Sequence, residues 1–197
     1  MSASAEKYIL NDNYLFKKLS FDKFEQDNNI LIEPENNFVI SRNIKGTVLS
    51  YYGDNNWILS PYRNSRGKAI INFDTLKSKK YIKDVKRLVF IIMLKGKGRS
   101  GSLFAPKTIL EYYNGTILKL ANFSFDNNIT IKTLIEDNYY LHLYVKKHLT
   151  NIVKISGFSS FLKILNNTDN KRSGINYIPN DKLLKQISIL LKQSVEK

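Results

Sequence analysis

The chain contains no cysteine. That excludes a disulfide framework, a thiolate metal centre and a thiol nucleophile. Histidine is almost as scarce. His142 and His148 are the only two, and their spacing does not put them on one helix face as paired ligands, so a histidine-rich metal site is not expected. Acid is in deficit, with 17 Asp+Glu. Pairs of carboxylates such as Glu33 with Glu35, or Glu136 with Asp137, sit in turn-like segments with no pattern of general acid–base work around them. No Gly-x-Ser-x-Gly nucleophile turn is present, and no metal-binding motif. Long apolar runs are missing too: the longest, Leu88 to Leu94, is far too short to span a bilayer. Met1 to Glu6 is small and polar, unlike the basic-then-apolar start of a signal peptide.

What the chain has in excess is positive charge. It carries 31 Lys+Arg, a formal net charge of +14, and a pI near 9.7 on 197 residues. Such a surplus repels itself in a compact fold, and its commonest use is to sit on a polyanion and displace counterions. The chain is not a disordered basic tail, because 43% of it is apolar and it holds 11 Phe, 12 Tyr and one Trp, enough to pack a core. The bias toward Lys, Asn and Ile points to an AT-rich bacterial or phage genome. The absence of cysteine fits a reducing cytoplasm.

The pattern along the chain divides it in two. Residues 1–72 read as a leader with a short helix over Tyr8 to Phe24 and then β structure. Phe38-Val39-Ile40, Thr47 to Tyr52, Trp57-Ile58-Leu59 and Ala69 to Phe73 are strand-like, and Asn36-Asn37, Gly53 to Asn56 and Pro61 to Gly67 are turn signals. Together they predict a small antiparallel sheet of two or three strands. Residues 73–197 read as helices. Asp74 is a candidate cap for Thr75 to Leu94, and Pro106 opens a helix to about Asn122, with Gly115 marking a close helix contact or a weak point. Shorter helices follow over Thr130 to Ile135, Asn138 to His148 and Ile152 to Leu165, with Gly157 a candidate break. Asn166 to Asn180 reads as a polar loop, and Asp181 caps a last helix to about Val195. The expected fold class is therefore mainly α, a helical bundle of four to five helices preceded by a short antiparallel sheet.

Several segments concentrate charge. Lys95-Gly-Lys97-Gly-Arg99-Ser-Gly-Ser combines cations with glycines that let backbone approach a phosphate; the alternative is a solvated linker. It is not a P-loop, since the Gly-Lys-Ser/Thr order is absent. Lys107 and Thr108 open the next helix, whose dipole would favour an anion, and Tyr112 and Lys119 follow; the tyrosines could equally be packing residues. Lys77 to Arg87 holds six cations and one acid, Asp84, and reads as a solvated helix face. Lys146 and Lys147 follow Tyr139, Tyr140 and Tyr144, where core packing is favoured over base stacking. Lys171 and Arg172 read as a phosphate clamp or as loop decoration.

The sequence of a β-rich leader ending near Trp57 and Phe73, a basic helix, and a Pro106/Thr108-opened helix ending in Leu120-Ala121-Asn122-Phe123 resembles the N-terminal part of phage-type integrases, the tyrosine recombinase family. So does the closing Ile178-Pro179-Asn180-Asp181. The likeness covers roughly residues 73–197. It implies the core-binding, SAM-like helical domain of that family, which forms half of a clamp on duplex DNA, with further recombinase protomers as partners and no cofactor, metal or membrane. The family's His-x-x-Arg box is absent, because His142 is followed by Leu-Tyr-Val and His148 by Leu-Thr-Asn. The resemblance therefore implies a non-catalytic DNA-binding piece. On this reading Lys95, Lys97, Arg99, Lys107, Lys119, Lys146, Lys147, Lys171 and Arg172 contact phosphate, and Thr108 and Tyr112 add hydrogen bonds. Two other readings remain open: a basic assembly protein meeting an acidic partner or anionic surface, and a small nuclease or RNA-processing enzyme. Charge reversal of Lys97 and Arg99 together is expected to weaken binding to unrelated duplexes alike and to flatten the salt dependence by about 2 in log–log slope, measured by mobility shift.

Overall fold

The computed structural model describes residues 34–63, 67–98, 100–176 and 189. The helix expected over Tyr8 to Phe24, Arg99 and, apart from Ile189, the helix expected after Asp181 lie outside the described residues. The chain is mainly α with an N-terminal β region. That region is two two-stranded antiparallel sheets, β1 (Val39–Arg42) with β2 (Val48–Tyr51) and β3 (Asn56–Ile58) with β4 (Ile70–Asn72), where the sequence predicts one. Asn43 closes the first hairpin: its Oδ1 accepts from the Lys45 and Thr47 amides, both at 2.9 Å, and Gly46 takes φ +85°. Ser50 stitches the two sheets together. Its hydroxyl pairs with Ser41 Oγ at 2.7 Å and accepts from the Ile58 amide at 2.8 Å. Trp57 opposes Ile71 across the second sheet, and both are fully buried.

The helices are α1 (Ile82–Lys95), α2 (Pro106–Tyr112), α3 (Leu118–Asp126), α4 (Ile131–Glu136), α5 (Asn138–His148), α6 (Ile152–Asn166) and the single turn α7 (Asn170–Ser173). The expected helix start at Thr75 is wrong by two turns. Asn72 accepts from the Asp74 amide and Ser78 from the Lys80 amide, each capping a separate 3₁₀ turn, and Leu76 between them is extended. Capping residues placed this closely divide the backbone into short turns, so the α-helix begins only at Ile82. α2 and α3 are one continuous stretch interrupted by a π turn, Tyr113–Ile117. Gly115 lies in that turn, exposed and with open space where a Cβ would stand, so it marks no close contact. Gly157 is no break either. α5 ends at His148, and Asn151 opens α6 by accepting from the Lys154 amide.

The core is continuous across both regions. Val85 and every residue from Leu88 to Leu94 on α1 is buried, so this helix is covered nearly all round, as its composition demands. Phe90 meets Phe38 at 5.5 Å and Tyr52 at 5.7 Å between ring centres. Phe73 meets Trp57 at 4.9 Å and Tyr113 at 5.8 Å. Tyr113 donates to the Asn72 carbonyl at 2.5 Å and pairs with Thr75 Oγ1 at 2.9 Å, fixing the π turn to the end of β4. Lys86 departs from the expected solvated face. It is buried, donates to the Gly53 carbonyl at 2.8 Å and lies 5.3 Å from the Phe73 ring centre. Loss of hydration lowers its pKa, opposed by the nearby Asp54 carboxylate.

Gly96 ends α1 where a Cβ would collide with the Phe104 ring and the Ile92 carbonyl. Gly96→Ala is expected to destabilise the fold by about 1–3 kcal/mol. Gly115→Ala, with nothing to strike, is expected to be neutral or stabilising by up to about 1 kcal/mol. Urea denaturation of the two variants side by side tests the contrast.

Candidate functional site

The described residues on either side of the glycine-rich basic segment pair as a hairpin. Lys97 bridges Leu103, the Gly98 amide donates to the Ser102 carbonyl at 2.8 Å, and the Phe104 amide donates to the Gly96 carbonyl at 3.0 Å. Lys95 is half-buried in the last turn of α1 and Lys97 is exposed at the hairpin. Lys107, exposed, stands 3.9 Å from Glu111 one turn along α2, and Thr108 is half-buried in the first turn. Tyr112 is occupied by packing. Its ring stacks on Phe104 at 5.2 Å, its hydroxyl is hydrogen-bonded to Ser160 of α6, and burial raises its pKa. Lys171 is exposed and Arg172 half-buried on α7, which packs against α1. Lys146 is exposed on α5, and Tyr144 is core while Tyr139 is 66% exposed.

The structure gathers charge at a different place, where α3, α5 and the start of α6 meet. Lys119 of α3, Lys147 of α5 and Lys154 of α6 all lie close enough to His148 to act on its charge. Burial is the largest cause lowering the His148 pKa; Lys147 and Lys119 add to it, Asp126 opposes it, and Lys154 contributes in the same direction as the other lysines. The imidazole is wedged between rings, 5.0 Å from Tyr144 and 5.8 Å from Phe123, and its Nε2 is enclosed with no hydrogen-bond partner. Lys147 Nζ lies 5.8 Å from the Phe123 ring centre, which holds the ammonium at the edge of the patch. Lys154 Nζ donates to Thr150 Oγ1 at 3.1 Å.

Asp126 is the acid that acts on this group, and it is already engaged. Lys77 donates to its Oδ1 at 2.7 Å and its Oδ2 at 3.0 Å, and that contact keeps the carboxyl below its ordinary pKa. Lys119, Lys147 and Lys154 have no carboxylate partner among the described residues. Of the residues expected from sequence, the structure thus brings Lys119 and Lys147 together, and it adds Lys154, His148 and Lys77, which sequence reasoning missed. Asn151 was the available signal. Read as a cap, it starts a helix whose first turn carries Lys154 beside the last turn of α5.

Among the described residues no group of three or more His, Asp or Glu could hold a metal ion, and no helix is long and apolar enough to cross a membrane. Comparison of the chain with family models, curated proteins and solved structures finds no match. Tyr112→Phe, which keeps the stack on Phe104 and loses the bond to Ser160, is expected to cost about 0.5–1.5 kcal/mol in urea unfolding and to leave nucleic-acid affinity unchanged. A selective loss of binding would return Tyr112 to the site.

Proposed function

We propose that the protein binds duplex DNA through its phosphate backbone, using the basic surface at the junction of α3, α5 and α6. The observation that carries this reading is that Lys119, Lys147 and Lys154, from three separate helices, all act electrostatically on one imidazole, that of His148. Positive side chains on neighbouring helices, with one shared carboxylate among them, repel one another, and an anion bound beside them relieves that repulsion. A polyphosphate backbone is the partner that can meet several such charges at once and release counterions. Contacts of this kind fix register and carry little sequence information. The helix layout described above suggests the context: a non-catalytic, DNA-clamping part of a phage-type site-specific recombinase, acting with other protomers.

A second reading, an assembly protein that meets an acidic partner, is favoured by Ile152 and Val153. They are 49% and 76% exposed immediately before Lys154, and exposed apolar side chains beside lysines suit a protein interface. The two readings separate by mutation. Under the DNA reading, Ile152→Ser with Val153→Ser leaves duplex affinity within about twofold. The Lys119→Gln, Lys147→Gln, Lys154→Gln triple variant lowers affinity for unrelated duplexes alike and reduces the salt slope by about 3. Fluorescence anisotropy across a salt series, with circular dichroism to confirm folding, measures both. Binding that ignores salt, or that survives the triple variant, removes this surface from the function.

A further inference from the structure

The solvent side of α5 carries a feature that neither the core nor the duplex surface uses. Tyr139, His142 and Lys146 recur at the spacing of one helix face, and all three are exposed. The other tyrosines of this helix are not: Tyr140 is half-buried and Tyr144 is core. At 66% exposure, Tyr139 offers most of its surface to a partner. It is also braced. Its ring meets that of Tyr140 edge to face, with centres 5.3 Å apart and planes at 74°, and its amide donates to Asp137 Oδ1 at 2.8 Å. A ring already held in place loses little further freedom when something stacks on it.

Charge is graded along the same helix. Glu136 and Asp137 stand at its start, and Lys146 and Lys147 lie in its last turn. The acids repel a phosphate from the tyrosine end, and the lysines attract one to the other end. An occupant that fits both ends presents a flat apolar face at Tyr139 and a negative charge about 10 Å along the helix, at Lys146. That distance is about three stacked nucleotides. An acidic polypeptide has the charge but no regular series of flat faces. A duplex has the charge but encloses the faces of its bases in the stack. A single strand has both.

We propose that the Tyr139, His142 and Lys146 face of α5 binds single-stranded nucleic acid. One base stacks on Tyr139, His142 presents a second ring one turn on, and a backbone phosphate meets Lys146. Every base has a face to stack, so sequence preference at this surface is weak. The proposal does not rest on the duplex reading, because Lys146 is not among the lysines assigned to the duplex. Where both hold, the two surfaces share α5 and suit a junction at which paired DNA gives way to an unpaired strand.

The test uses the full chain and a labelled oligothymidylate of about ten nucleotides, which falls within the usual span of a single-strand site. Fluorescence anisotropy gives the affinity of the wild type, Tyr139→Ala, Tyr139→Phe and Lys146→Gln for this strand and for a duplex. Tyr139→Ala is expected to weaken single-strand binding by about 5- to 100-fold. Tyr139→Phe is expected to stay within about twofold of the wild type, and both variants to leave duplex affinity within about twofold. Lys146→Gln reduces the single-strand salt slope by about 0.7. Tyr139→Trp gives a direct readout: its emission, after subtraction of the signal from buried Trp57, is quenched on binding. Tyr139 lies outside the core, so these variants are expected to fold, and circular dichroism checks that they do. Failure of the wild type to bind oligothymidylate, or binding by Tyr139→Ala that equals the wild type, overturns the inference and leaves the duplex reading intact. An equal loss of affinity for duplex or for polyglutamate in Tyr139→Ala shows a surface that reads charge alone, and overturns it too. Failure to bind duplex, with the Tyr139→Ala effect on the single strand retained, overturns the duplex reading alone.

Discussion

Helix α1 is apolar over nearly its whole circumference, and the rest of the fold is arranged to cover it. Val85 and Leu88 to Leu94 cannot face water without losing about 1.5–3 kcal/mol for each large side chain, so elements are needed on every side. The β region covers one side through Phe38 and Tyr52 against Phe90. α2, α6 and α7 cover others. This explains why two sheets of two strands, too small to stand alone, are well formed: they are the lid of a helical core. It also explains the position of Phe73, whose ring touches Trp57 on one side and Tyr113 on the other and so passes the packing from strand to helix.

The same constraint governs the charge. With the interior filled by aliphatic and aromatic side chains, the lysines are confined to the rim, and their grouping depends on which helix ends meet there. α3, the end of α5 and the beginning of α6 bring three of them within electrostatic range of His148. Lys86 is the exception that shows the cost. Its ammonium is enclosed, and it is stabilised by the Gly53 carbonyl and the Phe73 ring rather than by water. That tie links α1 to the turn before β3, so a cation inside the core serves to join the two regions.

Some of this was legible from residues alone because the signals are local. Pro106 opens a helix as read, and the helices expected over Thr130 to Ile135 and Asn138 to His148 stand at Ile131–Glu136 and Asn138–His148. Where the reading failed, a local signal pointed two ways. Asp74 has the chemistry of a cap, yet Asn72 and Ser78 on either side of it take that role and delay α1. Gly157 has the chemistry of a break, yet Asn151 makes the real one. Lys86 lies among six cations that read as one solvated face, and burial on the sheet side is invisible until the sheet is placed. Tyr112 reads equally as a ligand-facing or a packing residue, and only its stack on Phe104 and its bond to Ser160 decide the matter.

The sequence by itself determined the mainly α class with a β region before it, the large positive surplus, and the absence of thiol chemistry. These depend on composition and on patterns a few residues long. Tertiary structure alone decided which cations are neighbours. Lys119, Lys147 and Lys154 are separated by 28 and 7 positions in the chain; their meeting depends on how α3 and α5 pack and on a short link between α5 and α6. Like charges have no attraction that would reveal such a pairing in sequence. They are brought together only because the apolar faces of their helices are buried against one core, and the energy that assembles the patch comes from the opposite side of each helix.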